Sequence, residues 1–258
     1  MSDITSCHQQ VPQAPSGSHL AGGAGGGARV TARRDAPSPQ GLYDRALDKD
    51  SCGVGFIADI KGRASHRIVT DALTILVNLE HRGAVGADPR AGDGAGILVQ
   101  IPHRFFARKA AELGLALPAP GGYAVGVLFM PQDQALRAQI KGIFAEEIAR
   151  EGMHLVGWRN VPSDNSCLGD SVKPTAPFHE QVFIGMGSRT FDADTFERRL
   201  YVMRKAVSQR LYGLGTWQHS EYYPVSLSCR TVIYKGMFLA DQLRRYYPDL
   251  EEPDFESA

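Results

Sequence analysis

Apolar positions along the chain follow two spacings, and almost nothing before residue 40 follows either. Three long stretches repeat every third or fourth residue, as one face of a helix requires. The first starts at Ser65, a suitable N-cap, and aligns Ile68, Val69, Ala72, Leu73, Leu76 and Leu79, with Gly83 where a left-handed C-terminal cap is expected. The second is capped by Asp133, aligns Leu136, Ile140, Ile143, Phe144 and Ile148, and stops at Gly152. The third covers residues 194–211, with Phe196, Leu200, Met203, Val207 and Leu211 in one stripe and Gly213 at its end. A shorter helix is expected over 104–113. Short apolar runs predict strands at 54–60, 97–101, 123–130, 155–158, 181–186, 223–229 and 231–234, the last two being one long strand or a tight pair. Pro162, Asn165, Gly169, Pro174 and Pro177 make 161–178 a long irregular connection.

Residues 1–39 are rich in Gly, Ser, Pro and Gln around a run of glycines at 22–27, and they offer little to bury. They read as a disordered leader, with order starting near Gly41, Leu42, Tyr43 and Asp44. Arg29, Arg33 and Arg34 invite a transit-peptide reading, which Asp3 and the missing helical period oppose. No apolar run is long enough to span a bilayer. The 258 residues, 43% apolar and 22% charged, suit one large domain or two small ones. Twenty-eight Lys and Arg balance 28 Asp and Glu, so net charge draws the chain to neither nucleic acid nor an anionic membrane. A small molecule or another protein is the expected partner. Cys7, Cys52, Cys167 and Cys229 are scattered, unlike a zinc ribbon or a secreted disulfide scaffold, which favours a reducing cytoplasm.

Most familiar chemistries fail on spacing. Gly92, Asp93, Gly94, Ala95 and Gly96 resemble a phosphate loop but lack the Lys that follows one, and the third glycine comes a residue early for a dinucleotide fingerprint. A tight turn before a strand is the simpler reading. His179 and Glu180 have no second His at helical spacing, so no metal site is expected. There is no GxSxG elbow. The pairs Glu146–Glu147 and Glu251–Glu252 read as solvated charge rather than as an acid–base couple. Cys52 stands between Asp48, Lys49, Asp50 and Ser51 and an apolar run. On the residues alone, a buried structural thiol is the commoner explanation for it.

A resemblance changes that balance. Asp48, Lys49, Asp50, Ser51, Cys52, Gly53, Val54, Gly55 and Phe56, then Leu79, Glu80, His81, Arg82, Gly83 and Ala84, then the glycine-rich run 92–97, resemble the N-terminal class II glutamine amidotransferase domain of the glutamate synthase large subunit. Gly157, Trp158 and Arg159, Val161 and Pro162, Ser226 to Arg230, and Tyr234, Lys235 and Gly236 continue the likeness in the same order. The resemblance implies an α+β fold, the four-layer αββα sandwich of N-terminal nucleophile hydrolases. It implies that residues 1–51 are a leader or propeptide removed between Ser51 and Cys52, and that 52–258 are the amidotransferase domain. Cys52 then becomes the nucleophile, with its own α-amino group, pKa about 8, as general base and no His partner needed. Arg82 matches a family arginine that supports the nucleophile. Asp93 and Arg230 match motifs whose roles are equally well structural, and His81 reads as a helix-end residue.

By the same resemblance the reaction is glutamine hydrolysis through a cysteinyl thioester, the ammonia passing to 2-oxoglutarate in synthase domains of the same polypeptide, with a small reductase subunit as a further partner. FMN and an iron–sulfur cluster are implied for the complete enzyme and not for this segment. In this family the substrate-binding Arg and the Asn-Gly pair of the oxyanion hole lie downstream of residue 258. The domain is therefore expected to be incomplete at its C-terminus and of low glutaminase activity alone, since one lost oxyanion donor costs roughly a hundred- to a thousandfold in rate. Substrate-binding residues are correspondingly unassigned. The competing expectations are a catalytically idle regulatory or binding module of the same fold, and another N-terminal nucleophile amidohydrolase.

Overall fold

Strand β2 (Tyr123–Met130) has the sequence YAVGVLFM and lies at the centre of a four-stranded antiparallel sheet. It pairs with β4 (Phe178–Gly185) on one side and β5 (Tyr223–Ser228) on the other, and β3 (His154–Asn160) lies beyond β4. A strand covered on both faces must be apolar throughout, and this one is. Its alternate residues divide between two cores: Tyr123, Val125 and Val127 enter one, and Ala124, Leu128 and Met130 the other. Gly126, between them, leaves no room for a side chain, because a Cβ there would come within 2.6 Å of Val182 Cγ1. The computed structural model describes residues 52–83, 85, 88–187, 192–214 and 222–258. The leader expected over 1–51, including Cys7 and the onset of order near 41–44, lies outside them.

One core is closed by the two long helices. Helix α3 (Gln134–Arg150) begins at Asp133, whose carboxylate accepts from the Leu136 N–H at 2.8 Å, and buries Ile140, Ile143, Phe144 and Ile148. Helix α4 (Ala193–Gly213) begins in the same way at Asp192 and buries the whole expected stripe from Phe196 to Leu211. Gly152 adopts φ 71° just past the end of α3.

The other core joins the opposite face of that sheet to a second, two-stranded antiparallel sheet of β1 (Ala95–Gln100) and β6 (Thr231–Gly236). Ile97, Val99, Val232 and Tyr234 meet Val125, Val127 and Phe183, and helices α1 (His66–Asn78) and α2 (His103–Glu112) add Val69, Leu73, Phe105 and Phe106. Helix α5 (Gln242–Tyr246) and the 3-10 turn Pro248–Glu251 complete it with Leu243, Tyr246, Tyr247 and Leu250. The result is a mixed α/β fold with two antiparallel sheets.

Four expectations are corrected. Glu147 is not solvated: it is buried on α3 and paired with Arg150 and Arg210 at 3.0 and 2.8 Å. The run 54–60 is not a buried strand: Val54, Phe56 and Ile60 are exposed and pair with no sheet. Gly53 and Gly55 occupy the side of the ribbon that faces α1, so alternation turns its large side chains outward. Gly83 is extended (φ −89°, ψ 159°) rather than left-handed. Helix α1 ends instead in the 3-10 turn Glu80–Arg82, where Arg82 N–H reaches Leu79 C=O and Gly83 N–H reaches Glu80 C=O. Finally, β5 and β6 are neither one strand nor a hairpin. The chain turns at Cys229 and Arg230 from one sheet into the other, and Glu197 of α4 holds the corner by accepting from Ser228 Oγ and Cys229 N–H, each at 2.7 Å.

A buried polar group ties the C-terminal segment to both sheets. Arg159 on β3 and Asp249 are 5% and 2% exposed and form a two-pronged pair at 2.7 Å. Arg159 also donates to Gln181 Oε1 at 2.7 Å, Gln181 Nε2 donates to Tyr234 Oη at 2.8 Å, and Tyr234 Oη donates to Asp249 Oδ2 at 2.7 Å. Burial opposes the Arg159 charge, but hydrogen bonding to Asp249 and its negative charge raise the guanidinium above its usual pKa. Asp249→Ala would leave that cation buried and unpaired, and is expected to cost about 3–5 kcal/mol. Chemical denaturation of the purified variant measures it.

His179 is a second buried polar residue, with Nε2 2.7 Å from Tyr246 Oη and its ring edge-on to Phe129, Tyr246 and Tyr247. Burial lowers its pKa to about 4, well below the unfolded value near 6.5. Between those values the unfolded chain binds the proton and the folded one does not, so folding stability falls as pH drops from about 6.5 towards 4, by about 3 kcal/mol for this residue. Urea midpoints measured across that range should show the decline, and His179→Gln should flatten it.

Candidate active site

Cys52 is exposed at the start of the described chain. The ribbon that carries it lies against the end of α1, because Gly53 and Gly55 bring the backbone close. A Cβ at 53 would sit 3.2 Å from Leu79 Cβ and 3.3 Å from Arg82 Cβ, and one at 55 would sit 2.3 Å from Ile75 Cγ2. The 3-10 turn after α1 delivers Arg82 to the same place. Cys52 and Arg82 line one cleft of about 170 Å³, floored by Leu76 and Leu79.

Two more segments close the cleft. Asp93, Gly94 and Ala95 lead into β1, and Gly94 takes φ 134°, a conformation suited to glycine. Residues 238–240, following β6, form the remaining wall. These segments touch at Gly92, where a Cβ would lie 2.2 Å from Phe238 O and 2.5 Å from Leu239 N. The glycine-rich run is thus a turn before a strand, with its first glycine required by a backbone crossing.

Cys52 and Arg82 are therefore brought together, and Asp93 joins them. Its motif left Asp93 with a role that could equally be structural, and the fold places it in the lining of the cleft that Cys52 and Arg82 share. His81 is a helix-end residue, with Nδ1 3.1 Å from Asn78 O. Arg230 lies elsewhere, paired with Asp194 on the exposed side of α4. Cys167 and Cys229 are buried, one in each core. Burial raises the thiol pKa of Cys167, and raises that of Cys229 to about 12, so neither is a nucleophile at neutral pH. Among the described residues no three His, Cys, Asp or Glu side chains are grouped to hold a metal ion. No described helix is long and apolar enough to cross a membrane.

The model of the class-II glutamine amidotransferases matches residues 52–258, beginning at Cys52 itself. The chain belongs to that family. It is similar to glutamate synthases: 40% identical over 226 residues to the NADH glutamate synthase of Schizosaccharomyces pombe, covering 86% of this chain and 10% of the relative. It is 39% identical over 222 residues to the NADPH glutamate synthase large chain of Bacillus subtilis, covering 86% of this chain and 14% of that one. It is 38% identical over 216 residues to the chloroplastic ferredoxin-dependent glutamate synthase 2 of Arabidopsis thaliana, covering 84% and 13%. The chain spans only about a tenth to a seventh of the length of these relatives.

The Gly92 crossing makes a direct test of the cleft wall. Gly92→Ala drives a methyl into the Phe238 carbonyl, with backbone on both sides and no flexible side chain to yield. It is expected to destabilise the fold by about 1–3 kcal/mol. Thermal unfolding would register this as a lowered Tm, whereas Gly142→Ala, in open space on α3, would not lower it.

Proposed function

We propose that this chain is the glutaminase part of a glutamate synthase, with Cys52 as the nucleophile freed by removal of residues 1–51. The observation that carries this reading is the convergence of Cys52, the first residue of the family match, with Arg82 in one open cleft. Cleavage of the Ser51–Cys52 bond supplies an α-amino group next to the thiol. With a pKa of about 8, that amine is matched to proton transfer near neutral pH. Arg82 favours the thiolate and supports the new amino terminus.

The Cys52 sulfur attacks the side-chain amide carbon of glutamine, forming a C–S bond. The C–N bond then breaks, and nitrogen leaves as ammonia with the proton taken from the thiol. Water attacks the γ-glutamyl thioester, delivering its oxygen to the carboxylate product and a proton back to sulfur. Glutamate is released and the thiol restored. Ammonia would pass to synthase domains of the same polypeptide, to be added to 2-oxoglutarate. Glutamine is thus the substrate, in a cytoplasmic setting.

The two sheets share one core, with α3 and α4 on the outer face of the larger sheet and α1 against β1. This arrangement supports an αββα N-terminal nucleophile fold. FMN and an iron–sulfur cluster belong to the rest of such an enzyme. A cluster needs several thiolates at one place, whereas Cys52 is exposed and Cys167 and Cys229 lie in separate cores, so the described residues do not fit one. The Bacillus subtilis relative is named a large chain, which supports a smaller reductase partner.

The test uses the protein at its natural full length. Its mature form should begin at Cys52 by N-terminal sequencing, and Cys52→Ser should lower glutamine hydrolysis by about a thousandfold or more. Any other mature terminus, or hydrolysis retained by Cys52→Ser, overturns the assignment.

A further inference from the structure

The two outer walls of the cleft leave the same end of the β1–β6 pair, one running into β1 and the other out of β6, and one side chain grips both. Gln242, at the start of α5, is 3% exposed and does not itself line the cleft. Its Oε1 accepts from Leu239 N–H at 2.9 Å, in the wall that follows β6. Its Nε2 donates to Arg90 C=O at 2.9 Å, three residues before Asp93, and to Cys167 C=O at 2.9 Å. Both amide N–H groups and one oxygen lone pair are thereby used, on three segments far apart in the chain.

We propose that Gln242 is a positioning residue for the Cys52 cleft, fixing the separation of the wall that bears Asp93 from the wall that bears Leu239 and so the width of the space that glutamine enters. This rests on the glutaminase reading above. Gly92 sits where those walls touch, so the separation is already at its minimum and the amide holds it there. Only glutamine meets this requirement among side chains of its size. Glutamate keeps the acceptor for Leu239 but turns an anion on two carbonyl oxygens. Leucine fills the volume and leaves three backbone groups without partners.

Gln242→Leu and Gln242→Glu in the natural full-length protein test this, with three readouts. Hydrogen exchange at the Leu239 amide reports the clamp, KM and kcat for glutamine report the cleft, and alkylation of Cys52 by iodoacetamide reports the nucleophile alone. In Gln242→Leu, Leu239 exchange should be about tenfold faster and KM about tenfold higher, with Cys52 alkylation within about twofold of wild type. Folded Gln242→Leu with unchanged KM and kcat overturns the proposal even if exchange rises, since Gln242 is then only a structural tether. A parallel loss of alkylation and turnover overturns it too. Should Gln242→Leu not fold, Gln242→Glu decides: a raised KM supports the proposal, and a wild-type KM overturns it. If the wild-type protein releases no glutamate from glutamine, it is the glutaminase reading that has failed. The clamp is then judged at Leu239 alone, where unchanged exchange overturns it.

Discussion

Two opposite charges, Arg159 and Asp249, are buried together where the larger sheet, β6 and the C-terminal segment meet. Burying either alone would be costly. Together, with Gln181 and Tyr234 hydrogen-bonded to them and to each other, they form a closed ring of bonds. Arg159 belongs to β3, Gln181 to β4 and Tyr234 to β6, so the group specifies how the two sheets meet rather than simply adding stability. Asp249 also anchors the segment after α5. Gln242 at the start of that helix, and the wall formed by 238–240, are placed by the same anchorage. A charge pair remote from Cys52 therefore sets the frame in which the cleft is built.

The parts of the fold readable in the sequence are those whose partners are neighbours or whose surroundings are uniform. Strand β2 is apolar at every position because both its faces are covered, and its bounds follow directly. Helices α3 and α4 each have a capping Asp and a single apolar stripe, and both are where the pattern puts them. The run 54–60 misleads because apolar content alone does not say which side of a ribbon is buried. There the glycines face the helix and the valine and phenylalanine face outward. The corner at Cys229 and Arg230 was illegible for another reason: two strands separated by two residues look the same whether they pair or part. What separates them is Glu197, on a helix some thirty residues earlier.

The site was legible through motifs and not through composition. Cys52 by itself resembles any small buried residue, and only its ordered company of motifs singles it out as the proposed nucleophile. Arg82 follows from the same company. Asp93 was singled out by its motif but not placed in the cleft, and Gln242 was beyond reach, because its contacts join distant segments; the bond from Gln242 to Arg90 spans 152 positions. No local spacing encodes such a bond. Its one sequence trace is Gly92, whose missing side chain admits the crossing backbone.

The pairing of β1 with β6 joins residues well over a hundred positions apart, and both lead into the cleft from their outer ends. Contacts of such long reach form late, because a large loop must close before they repay its entropy. During synthesis the ribbon with Cys52 emerges well before the wall at 238–240. Cys52 is therefore without that wall until the intervening residues have been made. A reaction that needs Cys52 beside that wall has to follow the docking of β6. The order of the strands thus sets the earliest point at which the cleft can exist.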